Sequence, residues 1–195
     1  NKQKLIEESW QRCRQYGIAQ NGWSQAEVLT GKELESVLKD SQELIDSARL
    51  LMQSLYELVA SSGFVVVLLN ADGYIVEVIG EMDDAKSSWS RYYARGVKWT
   101  EELVGTSALS LALLGSGPIQ VLGDEHYCKA YADWTCSAAP LIDDCGKIMG
   151  VLSVTGSKEN AHSHTLGMVV SAAAAINNMI KVRRAQKKLE DTARL

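Results

Sequence analysis

No stretch of this chain approaches the roughly 18 consecutive apolar residues of a membrane-spanning helix, and its polar start, NKQKLIEESW, holds no signal-peptide hydrophobic segment. The expected compartment is therefore the cytoplasm. Positive charge is not in excess: 20 Lys and Arg stand against 24 Asp and Glu, for a net charge of -4. A chain of that balance has no global field to draw it onto nucleic acid. Cysteine is sparse, with only Cys13, Cys128, Cys136 and Cys145, which rules out a disulfide framework, and no CxxC pair signals a structural zinc site. GxxxxGK[ST], GxSxG and HExxH are all missing. That excludes the ordinary phosphate-loop, hydrolase-elbow and zinc-protease sites. Internal repeats and low-complexity segments are absent as well.

What is present suits one well-buried domain with flanking helices. The chain has 195 residues, 46% apolar and 23% charged, enough for a single core. It begins at Asn1 without a methionine and ends inside a charged helical run, so a longer parent protein is expected.

Apolar residues at Leu5, Ile6, Trp10 and Cys13 predict an amphipathic helix from Lys2 to about Tyr16, closed by Gly17. A second helical pattern without proline runs from Gly31 to Ser61 through Leu34, Leu38, Leu44, Ile45, Ala48, Leu51, Leu55 and Leu58. The period then changes to that of strands. FVVVLLN (Phe64 to Asn70) and YIVEVIG (Tyr74 to Gly80), joined by Ala71-Asp72-Gly73, predict one hairpin. Helices are expected over Asp83 to Tyr93 and Thr106 to Leu114, the second stopped at Gly115-Ser116-Gly117-Pro118. IQVLG (Ile119 to Gly123) reads as a strand, and Thr135 to Ile142 with Ile148 to Thr155 as a second hairpin. A last helix starts near Ser163, with a stripe of Leu166, Val169, Val170, Ala173, Ile176, Ile180 and Val182. Hairpin connections predict an α+β fold on an antiparallel sheet.

Candidate site residues fall in three stretches, Trp99 to Leu113, Gly123 to Trp134 and Trp134 to Gly156. Thr106 and Ser107 follow Gly105 at a helix start, where free N–H groups can meet a ligand oxygen or where the residues simply cap a core helix. Tyr127, Tyr131 and Trp134 can wall an apolar or cationic ligand, whereas Trp10, Trp23 and Trp89 read as packing residues. His126, Cys128 and Cys136 leave three readings open: pocket wall, metal ligands, or thiol chemistry of a Cys held beside a His. Cys136 also fits a small buried core residue. His162 and His164 read as loop residues, and the basic run Lys181, Arg183, Arg184, Lys187 and Lys188 as a solvated helix face.

Together IEESWQRCRQYGI, WTEELVGTSALSLAL, EHYC…WTCSAAP and AHSHTLGMVVSAAAAI resemble the GAF sensory domain of sigma-54-dependent transcriptional activators of the acetoin-catabolism and dihydroxyacetone-regulator type. The likeness covers nearly the whole chain. It implies a five- or six-stranded antiparallel sheet with the first long helix and the last helix together on one side. It further implies an N-terminal helical segment over 1–30, a sensory domain over 31–182 and the start of a helical connector over 183–195. An effector site at Trp99, Thr106, Ser107, His126, Tyr127, Cys128, Trp134 and Cys136 follows from it, with no catalytic residue, cofactor or metal. Its partners are then a small-molecule effector or a regulatory protein, and a second copy joined through the long helices. In such activators the module precedes an AAA+ ATPase and a DNA-binding domain. The run Ser107 to Ala112 departs from the Asn-Ala-Ile-Gly-Thr-Ala usual there, so the resemblance does not name the effector. A thiol enzyme of the free methionine sulfoxide reductase kind and a metal-based sensor remain the alternatives.

Overall fold

A computed structural model describes residues 1–22, 27–81 and 92–193. Trp23, Trp89 and most of the helix expected over Asp83 to Tyr93 lie outside the described residues. Helix α1 spans Lys2–Gln15, capped by the Asn1 side chain, and Gly17 turns the chain out of it at φ +73°. Helices α2 (Gly31–Asp40) and α3 (Gln42–Val59) replace the single helix read from the sequence. The break is at Ser41, whose ψ of 4° is not helical and whose buried hydroxyl accepts from the Asn70 amide. Apolar periodicity carries through such a joint, which is why the pattern alone shows one helix.

Strands β1 (Val65–Asn70) and β2 (Ile75–Ile79) form the first hairpin. Asn70 Oδ1 accepts from the N–H groups of Asp72 and Tyr74 and so shapes its turn. Two short helices follow, α4 (Glu101–Val104) and α5 (Ala108–Leu113), then β3 (Ile119–Leu122), β4 (Trp134–Ile142), β5 (Ile148–Ser157) and α6 (Ser163–Ala193). The five strands lie in the order β2-β1-β5-β4-β3, every pair antiparallel. This is the α+β fold expected.

Strand alternation divides the interior into two cores. On one face Val66, Leu68, Leu141, Leu152 and Val154 meet Ile45, Met52 and Leu55 of α3 and Val169, Ile176 and Ile180 of α6. On the other, Val65, Val67, Val121, Cys136 and Ala138 meet α1, α4, α5 and the segments around Trp99 and Tyr127. Helices α3 and α6 therefore share one side of the sheet, as the resemblance implied. Among the described residues α6 alone has the length and composition of a membrane-spanning helix. Its buried Val169, Ala173, Ile176 and Ile180 pack on the sheet.

Candidate functional site

The second face brings together residues that lie far apart in the chain. Its floor at β4 and β5 is made of small side chains, Cys136 opposite Thr155 and Ala138 opposite Ser153. Over it stands an aromatic row: Tyr93 and Trp99 with ring centroids 4.7 Å apart, and Trp99 and Tyr131 at 5.7 Å. Trp99 is fully buried and its indole N–H donates to the Tyr92 carbonyl at 2.8 Å. The Tyr93 hydroxyl lies 3.8 Å from Cys136 Sγ. Tyr127 is buried against Trp10 of α1, edge to face at 5.6 Å. Trp134, at the start of β4, packs half-buried at the rim of the same core.

Helix α1 is fastened here by polar groups. Glu101, buried in α4, accepts from Arg12 Nε at 2.6 Å, from Arg12 Nη2 at 2.8 Å and from the Ser9 hydroxyl. Ser9 also lies 2.7 Å from Thr106 Oγ1, and Cys13 Sγ lies 3.5 Å from that same oxygen. The carboxylate and the guanidinium thus satisfy each other across about ninety residues of sequence, as buried charges must. Gly105, between Glu101 and Thr106, holds φ +76°, and a Cβ there would stand 3.3 Å from the Tyr127 Cβ and 3.5 Å from Cys128 Sγ. Only glycine takes this bend without strain. Ser107 caps α5 in a reciprocal pair with Ser110, so its hydroxyl and amide are engaged within the helix start.

Apart from the Glu101–Arg12 pair, the shifted groups of this face are held neutral. Burial pushes the Cys128 and Cys136 thiols up to about 11 and raises Cys13 as well. The same cause raises the Tyr93 phenol, and lowers His126 to about 4. His126 Nδ1–H donates to the Gly123 carbonyl at 2.9 Å, while its buried Nε2 meets no hydrogen-bond partner among the described residues.

His126, Cys128 and Cys136 do not converge. Cys128 Sγ faces the Val104 carbonyl at 3.6 Å, Cys136 faces Tyr93, and among the described residues no three His, Cys, Asp or Glu side chains gather as a metal site would require. A protonated, buried thiol is also a poor nucleophile. Sequence reasoning passed over Ser9, Arg12, Glu101, Tyr93, Ser153 and Thr155. Glu101 had one sign, its place in a helix's first turn, but nothing local announces a partner on another helix. Beside the site, α1 and the Leu122–Glu125 segment bound an open groove of about 1090 Å³ with Ile6 and Trp10 in its wall.

Three kinds of comparison bear on this arrangement. The MimR N-terminal domain model matches residues 4–178. The chain is 32% identical over 189 residues to the signal-transduction and transcriptional-control protein of Clostridium beijerinckii, covering 97% of this chain and 30% of that protein. It is 34% identical over 184 residues to the acetoin catabolism regulatory protein of Cupriavidus necator, covering 89% of this chain and 27% of that protein. The chain thus spans less than a third of the length of these relatives. In fold it is similar to the crystal structure of the Escherichia coli DhaR(N)–DhaL complex, with a TM-score of 0.89 and 19% identity over 97% of this chain and 64% of that one. With the family model spanning nearly every described element, from α1 into α6, this chain belongs to the MimR N-terminal domain family.

Proposed function

We propose that this chain is the GAF-type signal-sensing domain of a sigma-54-dependent transcriptional activator, cytoplasmic and not itself an enzyme. Relatives named as transcriptional regulators include the acetoin dehydrogenase operon activator AcoR of Bacillus subtilis and the PTS-dependent dihydroxyacetone kinase operon regulatory protein of Escherichia coli. The signal enters at the aromatic face, through Trp99, Thr106, Ser107, His126, Tyr127, Cys128, Trp134 and Cys136, and leaves through α6 toward an ATPase and a DNA-binding domain. Residues 1–30 flank the sensory unit 31–182, and 183–195 begin the connector. The molecule works as a homodimer joined through its long helices.

One observation carries this reading: the sheet separates an inner face, where buried polar groups and stacked aromatics converge, from an outer face that carries α6. A ligand on the inner face shifts the equilibrium of α6 only by its difference in affinity for two helix packings. The thiol-enzyme and metal-sensor alternatives gain nothing from thiols pushed up to about 11 and from residues that do not converge.

Two inputs fit, a small metabolite or a partner protein, the second favoured by the DhaR(N)–DhaL likeness. Thermal unfolding of the purified chain with acetoin, dihydroxyacetone and glycerol, beside capture by a DhaL-type subunit, tests them. A saturable rise in Tm with one metabolite that Trp99→Ala abolishes supports the small-molecule input, and stoichiometric capture supports the protein input. No response to any of them, together with rapid alkylation of Cys128 or Cys136 at neutral pH, overturns the sensor reading in favour of thiol chemistry.

A further inference from the structure

The residues of the candidate site are covered. Thr106 is 0% exposed, Cys128 1%, His126 4% and Tyr127 5%. A small molecule reaches them only when part of that cover moves. Among the described elements over this face, α1 and the turn after it are the least deeply packed. Helix α5 buries five of its six residues, whereas α1 buries only Ser9 and Cys13 of its fourteen. Leu5, Ile6 and Trp10 are partly buried. One flank of α1 borders the open groove, which it crosses only where the Trp10 indole N–H donates to the Glu125 carbonyl at 3.0 Å and Lys2 meets the Glu125 carboxylate at 2.6 Å. The turn lies over Cys128: the Gln20 carbonyl accepts from the Lys129 N–H at 2.9 Å, and the Cys128 thiol faces the Ala19 carbonyl at 3.9 Å. What fastens α1 is mainly polar, the Arg12 guanidinium and the Ser9 hydroxyl on Glu101. The attraction in such a pair is largely offset by desolvation of the buried carboxylate. Releasing α1 returns both charges to water, whereas releasing an apolar helix exposes core. The contact therefore fixes where α1 sits more than it resists opening.

We propose that residues 2–20 form a strap that opens as a unit to admit the effector and closes over it, with Ser9, Arg12 and Glu101 as its catch. This rests on the sensor reading above and supplies that site's entry route. Closure also sets the polarity of Thr106. Glu101, paired with Arg12, is a carboxylate and only accepts, so the single Ser9 proton goes to it. The Thr106 hydroxyl, 2.7 Å from Ser9 Oγ, then donates to Ser9 and turns only lone pairs to its other neighbours. A ligand that donates a hydrogen bond to Thr106 favours the closed strap by its difference in affinity for the two states. Opening removes Ser9 and frees the Thr106 proton, so the position of α1 and the occupancy of the site are linked.

The test follows entry of a small probe, iodoacetamide, into the whole chain, with labelling of each cysteine resolved by mass spectrometry. Exposed Cys145 is the reference for an open thiol, buried Cys13 and Cys128 report the strap, and Cys136, on β4 against Tyr93, reports unfolding of the domain. Cys13 and Cys128 are expected to label at one shared rate, far below that of Cys145 and about tenfold or more above that of Cys136. Their rate should be nearly flat in low urea, because opening the strap exposes little surface, while that of Cys136 climbs. Arg12→Met should raise both strap rates about tenfold or more. Ser9→Ala should raise them by a smaller factor, and it carries the test if Arg12→Met does not fold. One common rate and one steep urea dependence for all three buried thiols overturns the strap while leaving the sensor reading in place. Wild-type rates at Cys13 and Cys128 in the folded variants overturn it as well. Labelling of wild-type Cys128 as fast as Cys145 marks a reactive thiol and overturns the strap and the sensor reading together.

Discussion

Under α3 and α6 the sheet is covered mainly by Leu, Ile, Val, Ala and Met with Phe64, and the Arg49–Glu77 ion pair lies where α3 meets the edge strand β2, whereas under α1, α4 and α5 it meets Trp99, three buried tyrosines, three cysteines, His126 and the buried Glu101 paired with Arg12. The first face is a packing problem, and its stability scales with volume filled. The second is a satisfaction problem, in which each buried polar group must find its partner. On the proposed function the first is the output face, which stays assembled, and the second the input face, which discriminates. The difference also means that the two faces should fail in different ways when altered.

The largest effect is expected on the aliphatic side. Leu152→Ala removes a fully buried side chain from between α3, α6 and the sheet and should cost about 3–4 kcal/mol in urea unfolding, with no change in cysteine reactivity. If it instead exposes Cys136 to alkylation, the faces are not independent. Acid should then separate them. His126 is depressed to about 4 in the folded chain against 6.5 unfolded, so its neutral form supports the fold above pH 6.5 and that support is lost as pH falls toward 4, at most about 3 kcal/mol. His126→Gln should flatten that part of the stability profile, and Leu152→Ala should leave its shape unchanged.

Next in size is Arg12→Met, which strips the buried Glu101 of its cation. Arg12 is itself partly exposed, so the cost should be about 2 kcal/mol, less than for a fully buried pair. Hydrogen exchange should rise across α1 and α4 and stay unchanged in α3. Equal loosening of α3 would show that α1 supports the whole fold instead of one face. Smallest is Ser107→Ala, about 1 kcal/mol for a lost cap, with faster exchange confined to α5.

Element type was readable where one period ran unbroken. The hairpins at Phe64 to Gly80 and Thr135 to Thr155 and the start of α6 at Ser163 fell close to where alternation, turn residues and helical spacing put them. The joint at Ser41 was not readable, because the apolar spacing continues on both sides and the Asn70 amide that meets Ser41 there comes from β1, about thirty residues on. Candidate site residues were readable as a neighbourhood and not as a geometry. Trp99, Tyr127, Cys128 and Cys136 do share one core, yet the spacing of His126, Cys128 and Cys136 left a common ligand set open, and their side chains turn to different partners.

The amino-acid sequence by itself determined most of the elements, the antiparallel hairpins and the family, because all of these are local patterns of residue type along the chain. Only the tertiary structure decided that Ser9 and Arg12 join Glu101 and Thr106 in one hydrogen-bonded cluster, that the thiols and His126 are neutral, and which α6 stripe is buried. Those depend on burial and on contacts between residues some ninety positions apart, and neither is written in any window of the chain.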